Sequence, residues 1–457
     1  MSPATQIATT ANLFSPIKIG NVLLNHRVVM APLTRLRTTK TSAVLKVVKE
    51  YYSQRASTPG TFLISEGTVI SPRATGFQPC APGIWSDEQI AAWKEVVDAV
   101  HAKGSYILVY PCGDLHLAWL RVPTQYWREE TCLRVWEVIR EVVICRPFKK
   151  VWQDIPKVVI HRPFKNVSQV NATVIYITEI EEANSEPFTL TSTLISRGWY
   201  PGLIEKGNEG GDCAQLSYDL TYDVVGAGDI PMAEGEVPRP MTVGEIQASI
   251  GDFVQAATNA VHKAGFDGVE LHGAYGFLID QFIQDVSNNR TDKYGGSIEN
   301  RARFALEVVD AVAKAVGEDK TAIRFSPWTR DRDMGMKNPI PTFTYLISQL
   351  KEKQPNLAYL HLIQSRDLDD PKQSNENFFD LWSPRPLIVA DGFTREKALN
   401  FAERDGALIA FGKRFISNPD LPLRLKADLP LSEYDRSSFY GGDESGKGYI
   451  DYAFASK

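Results

Sequence analysis

Residues 242–274 read TVGEIQASIGDFVQAATNAVHKAGFDGVELHGA. Thr242 and Glu245 stand at capping-box spacing, where side chain and backbone satisfy one another's donors at a helix start. Ile246, Ile250, Phe253, Val254, Ala257 and Val261 then recur at helical spacing and form one apolar stripe. The short run that follows, GVELHGA at 268–274, reads as a strand of the sheet against which that stripe packs. A further helix is expected to begin near Ser297.

The same alternation extends along the chain. Apolar runs at 27–34 (RVVMAPLT), 61–70 (TFLISEGTVI), 105–110 (SYILVY), 321–328 (TAIRFSPW), 357–363 (LAYLHLI), 386–392 (PLIVADG) and 408–416 (LIAFGKRFI) join 268–274 to make eight. Near-continuous apolar strands are buried on both faces, as in a parallel sheet covered by helices. Ser86 with Gln89 marks another helix start by the same capping box. Eight strand–helix units predict an α/β fold, a (β/α)8 TIM barrel with its active site at the C-terminal strand ends. An open doubly wound sheet would want a Gly-rich first turn, and none follows run 27–34.

Residues 110–218 break the rhythm. They hold five of the nine Trp and four of the five Cys, and a near-repeat, VVICRPFKKV at 142–151 and VVIHRPFKNV at 158–167. Two copies are too few for a solenoid. The segment is read as a long insertion after strand 3. That leaves 12–109 plus 219–440 as the barrel and 441–457 as a C-terminal tail. Its abrupt composition fits either translated non-coding sequence or a genuine lid or partner-binding domain.

Fifty Lys and Arg against 55 Asp and Glu leave a net charge of −5, which argues against a broad basic face for nucleic acid. No apolar stretch is long enough for a membrane-spanning helix. The first eleven residues carry no leader pattern, so a cytoplasmic location is expected. No C-x-x-C or H-E-x-x-H pair points to a metal. His272 ends a predicted strand, where it is either a satisfied structural histidine or a donor to a carbonyl oxygen. Tyr275 adds a phenol or a packed aromatic ring. Arg324 lies inside an apolar run, which favours a site cation over a surface ion pair.

RTDKYGGSIENRARF at 290–304 is highly specific. LFSPIKIGN at 13–21, VVMAPLTRLR at 28–37, YYSQRASTPGTFLISEGTVIS at 51–71, APGIWSDEQIAAW at 81–93, FISNPDLPLRLK at 415–426 and YIDYAF at 449–454 support it. On these motifs the chain resembles the Old Yellow Enzyme family of FMN-dependent ene-reductases, in its fungal branch. The resemblance implies FMN at the barrel mouth, reduced by NADPH or NADH. It also implies reduction or isomerisation of the activated C=C of a small enone or enal, and a monomer or homodimer.

By that resemblance Thr34 hydrogen-bonds the flavin ring, and Pro32 and Gly67 bring backbone close to it. Arg324 faces the ring edge where reduced FMN gathers negative charge. Gly392, Gly412, Lys413 and Arg414 receive the phosphate, with Asp391 an unwelcome neighbour. His272 and Tyr275 take the catalytic pair's places, and Phe277 stands in the substrate pocket where the family has a proton-donating Tyr. In the family a Phe there accompanies isomerisation in ergot-type alkaloid assembly. A flavin-binding Gln after the third strand is missing, since the chain continues Tyr110-Pro111-Cys112. A degenerate member with weak FMN binding and a flavin-free phosphate-handling barrel are the competing readings.

Overall fold

The computed structural model describes residues 11–75, 80–113, 224–232, 237–365, 373–441 and 445–455. The chain divides into two compact units, 1–120 with 200–457, and 121–199. The second unit lies wholly outside the described residues. So do the near-repeat and the Trp residues of the 110–218 segment.

In chain order the strands are β1 (Ile17–Ile19), β2 (Val22–Leu24), β3 (Val28–Met30), β4 (Phe62–Val69), β5 (Tyr106–Cys112), β6 (Val225–Gly226), β7 (Arg239–Pro240), β8 (Gly268–Gly273), β9 (Thr321–Phe325), β10 (Tyr359–Ile363), β11 (Leu387–Ala390) and β12 (Ala407–Phe411). The helices are α1 (Lys46–Arg55), α2 (Asp87–His101), α3 (Val243–Thr258), α4 (Leu278–Ile283), α5 (Ile298–Val316), α6 (Ile340–Lys353), α7 (Glu376–Trp382), α8 (Arg395–Phe401), α9 (Lys413–Ser417) and α10 (Leu421–Ala427). Strands β3, β4, β5, β8, β9, β10, β11 and β12 close a barrel in that order, every neighbouring pair parallel. All eight apolar runs of the sequence are its staves.

The local signals are satisfied as their chemistry requires. Ser86 Oγ accepts from the Gln89 N–H at 3.3 Å while Gln89 Oε1 accepts from the Ser86 N–H at 3.1 Å. Thr242 and Glu245 reciprocate in the same way at 3.2 and 2.7 Å. Ser297 caps α5. Ile246, Phe253 and Ala257 of α3, and Val261 in the π-helical turn Asn259–Ala264 that follows it, are buried in the core, with Ile250 and Val254 of the same stripe half-buried against it.

Run ends differ from the strand ends. Run 408–416 is strand only to Phe411; Lys413–Ser417 is helix α9. Phe415 and Ile416 are buried in that helix, and apolarity alone does not distinguish a buried strand from a buried turn of helix. Run 105–110 continues as strand to Cys112, opposite Val69.

Inside the barrel Val29, Phe62, Ile64, Leu108, Ala322, Tyr359, Ile388 and Leu408 form one apolar cluster. The β1–β2 hairpin adds Ile19, Val22 and Leu24 to it and so closes the N-terminal end. Gly20 turns that hairpin at φ +50°, and a Cβ there would stand 1.9 Å from the Asp319 carbonyl oxygen. The opposite, C-terminal end is left for function. No helix among the described residues is long and apolar enough to cross a membrane.

The C-terminal tail is part of the wall. Tyr449 is fully buried and stacks on Tyr51 of α1 at 4.0 Å. The Arg35 and Arg37 guanidiniums lie 4.7 and 4.0 Å from the Tyr449 ring centre. Arg35 Nε also donates to the Phe439 carbonyl at 2.8 Å. These contacts fix the loop after β3, on which Thr34 precedes Arg35. Chemical denaturation should show Tyr449→Ala losing about 3–5 kcal/mol, as for a large buried aromatic. Phe454→Ala, in an exposed position of the same tail, should lose almost nothing. Equal losses would contradict the latch.

Candidate active site at the barrel mouth

The parallel pairing of β8 with β9 sets His272 directly beside Arg324. Arg324 is buried, and its Nη1 reaches the Tyr110 hydroxyl of β5 at 3.4 Å, across the intervening β8. Such a contact is possible only inside the barrel. The guanidinium lies 5.8 and 5.5 Å from the ring centres of Tyr110 and Tyr275. Burial alone would lower its pKa. The phenol groups of Tyr110 and Tyr275, with the Glu270 carboxylate, outweigh that and hold it above its ordinary value. Arg324 is a permanent buried cation.

His272 stands in a column of rings. It stacks on Tyr110 at 4.4 Å and meets Phe277 at 4.1 Å, and the Arg332 guanidinium covers Phe277 at 3.9 Å. The Ala274 N–H donates to His272 Nδ1 at 3.3 Å, which places the proton of the neutral ring on Nε2. Burial, then the charges of Arg324 and Arg332, push the imidazole pKa well below its usual value. At neutral pH His272 is a hydrogen-bond donor through Nε2 and carries no charge.

The turn beyond β8 is pinned from several sides. Tyr275 takes a left-handed φ of +56°, its N–H donating to Ser326 Oγ at 2.9 Å and its carbonyl accepting from Arg332 at 2.9 Å. The Gly276 N–H donates to Asp280 Oδ2 at 2.9 Å, and Gln281 Nε2 donates to the Gly276 carbonyl at 2.8 Å. Phe277 caps the start of α4, so its ring is directed by a backbone with little freedom.

Pro32 and Thr34 follow β3, Gly67 lies near the end of β4, Gly392 follows β11 and Gly412 follows β12. All therefore sit at the C-terminal strand ends, the rim that carries His272 and Arg324. Two observations fit a flavin ring there. Arg324 Nε is buried with no partner among the described residues. Above Gly67 a Cβ would meet only the Cys112 Cβ, at 3.9 Å, so the backbone is accessible to a close guest. The phosphate side is more occupied. The Gly392 N–H donates to the adjoining Asp391 carboxylate at 3.0 Å, and Arg414 pairs with Glu433 at 3.0 Å. Gly412 and the exposed Lys413 open α9 beside them.

The sequence alone does not mark Tyr110, Arg332 or the Glu270–His361 pair as site groups. Period-two alternation in GVELHG could have found Glu270, which shares the inward face of β8 with His272. Tyr110 reads in the sequence only as a missing amide.

Comparison with known proteins agrees with the barrel fold. The NADH:flavin oxidoreductase / NADH oxidase family matches residues 12–111 and 205–432. The chanoclavine-I aldehyde reductase fgaOx3 of Penicillium roqueforti (strain FM164) is 40% identical over 97% of either chain. The probable inactive reductase easA of Epichloe festucae var. lolii is 38% identical over 98% of this chain and 97% of its own. The crystal structure of Old Yellow Enzyme from Pichia sp. AKU4542 superimposes with a TM-score of 0.69 at 29% identity, over 98% of this chain and 94% of that one. The chain thus belongs to the NADH:flavin oxidoreductase / NADH oxidase family, as an oxidoreductase of the Old Yellow Enzyme kind that works with FMN and a nicotinamide cofactor.

Proposed function

We propose that the protein draws on NADPH or NADH to reduce, or to isomerise, the activated C=C of a small α,β-unsaturated aldehyde or ketone in fungal secondary metabolism. The carrying observation is the pairing of His272, a neutral donor, with Arg324, a buried cation, in the barrel mouth. Pro32, Thr34, Gly67 and Arg324 would hold the FMN ring, with Gly392, Gly412, Lys413 and Arg414 about its phosphate. FMN held there would supply the hydride chemistry that links the nicotinamide to the substrate carbon.

The protein's own part is binding and proton control. His272 Nε2–H donates to the substrate carbonyl oxygen and stabilises negative charge as it builds there. Arg324 does the same for the ring edge. Phe277 has no proton to give, and its ring is held between His272 and Arg332. Protonation of the substrate carbon therefore falls to water or Tyr275. Tyr110, whose pKa burial raises far above the ordinary range, keeps its proton throughout.

A second reading is a weakened member. Phe277, the absent amide at Tyr110 and the Asp391 contact to the Gly392 N–H favour it, as does the name of the Epichloe relative. The family match resumes at 205 and omits 112–204. We assign 12–112 and 219–440 to the barrel, since strand β5 runs three residues past the boundary at 109 that the sequence suggests, and the rest of the 110–218 segment is either non-coding sequence carried into the chain or a genuine lid or partner-binding domain. A cytoplasmic monomer or homodimer completes the proposal.

Stopped-flow spectroscopy tests it. Flavin reduction by NADPH should persist, while enone turnover rises more than tenfold in Phe277→Tyr, because a positioned acid contributes about 10²–10⁴-fold. Wild-type turnover within tenfold of that variant would refute the proton deficit. A protein that never bleaches with NADPH would favour the weakened reading.

Asp280, which holds the Gly276 N–H, supplies a pH test. Burial raises its carboxyl from 3.8 to about 7, against the hydrogen bonds of Gly276 and Gln284. The folded protein keeps a proton that the unfolded chain releases near 3.8, so this group's contribution to stability falls as pH climbs to about 7. The melting temperature of Asp280→Asn should gain on wild type from pH 5 to pH 8. A constant difference would contradict the buried, protonated carboxyl.

A further inference from the structure

Below the mouth the barrel interior holds a second polar tier. Glu270 precedes His272 by two residues on β8, so both side chains face inward. Its register partner on β9 is Ala322, which is also the partner of Tyr359 on β10. A methyl group at that point leaves room for the carboxylate to cross β9. Glu270 Oε2 accepts from the Tyr359 hydroxyl at 2.8 Å and meets His361 Nδ1 at 2.8 Å. All three side chains are fully buried. His361 is in turn the register partner of Arg324.

Position 270 thus lies one interior tier, about 7 Å along the strands, below Arg324, and the Glu270 charge bears on the guanidinium. Burial lowers the His361 pKa, so the imidazole adds no charge at neutral pH, and burial holds the Tyr359 phenol protonated. Glu270 Oε1, His361 Nε2 and Arg324 Nε all lack a hydrogen-bond partner among the described residues. The hydrogen-bond partner of Arg324 in the mouth is a neutral phenol. A buried cation with only phenols and ring faces around it requires a compensating charge, and one carboxylate stands directly beneath.

We propose that Glu270 is the counter-ion of Arg324, a positioning residue that sets how much positive charge the mouth presents to an anionic ligand edge. The proposal deepens the flavin reading and rests on it. Tyr359 and His361 hold the carboxylate in place. Its charge offsets part of the guanidinium's, so the mouth favours reduced, negatively charged FMN less than a bare arginine would. Acting on an anionic ring edge beyond the guanidinium, at about 10 Å and an effective dielectric near 20, the carboxylate's repulsion amounts to about tenfold in affinity.

The direct test compares the affinities of oxidised and reduced FMN for apoprotein, followed anaerobically by tryptophan fluorescence. Glu270→Gln keeps the shape and removes the charge; its preference for reduced over oxidised FMN should rise about tenfold. Glu270→Asp, which keeps the charge, should stay within threefold of wild type. An unchanged preference in Glu270→Gln would overturn the proposal. A second measurement needs no flavin. In a denaturation cycle of Glu270→Gln, Arg324→Met and the double variant, the double should lose less stability than the two singles summed. Additive losses would overturn the proposal as well. If wild-type protein takes up no FMN, the flavin reading fails, and the cycle alone decides the counter-ion.

Discussion

Closing eight parallel strands into a barrel fixes which side chains meet inside it. The register of β8 against β9 places His272 beside Arg324, and the register of β9 against β10 places His361 on the other flank. A guanidinium enclosed in this way cannot be hydrated as a surface arginine is, so its neighbours must supply the compensation. Tyr110, Tyr275 and Glu270 do so from three directions. Burial, reinforced by the same charge, keeps His272 neutral and hence a donor. Shifting β9 by one residue would turn Arg324 out among the helices and dissolve the site.

The rest of the fold serves that arrangement. The β1–β2 hairpin closes the base, leaving the opposite rim for ligands. The Tyr449 clamp anchors the loop behind Thr34, and Asp280 with Gln281 stiffens the turn that carries Tyr275 and Phe277. Hydride chemistry of this kind needs a donor for the carbonyl oxygen and an acid for the carbon. In the proposed reaction His272 is that donor, and the acid's place falls to Phe277, which lies under the Arg332 guanidinium and offers ring packing and a cation–π contact in place of a proton.

Much of this was legible in the residue order. Strands buried on both faces announce themselves as apolar runs, and capping boxes mark helix starts by local chemistry alone. Arg324 was conspicuous because a charge inside TAIRF requires a purpose. Other features were hidden for physical reasons. Run 408–416 conceals a change from strand to helix at Gly412, because both sides of it are buried. The three-residue strands of the hairpin are too short to show a period. Tyr110 and Glu270 acquire meaning only through partners more than eighty residues away, which barrel closure brings together and spacing along the chain does not.

In the proposed complex Thr34 and Arg324 address one planar guest from two sides of the mouth. A crystal structure of the protein grown with FMN tests this most directly. The account predicts one flavin per chain across the strand ends, with an Arg324 nitrogen and the Thr34 hydroxyl each about 3 Å from polar ring atoms. A flavin seated elsewhere, or an Arg324 side chain turned down to Glu270 and away from the ring, would contradict it.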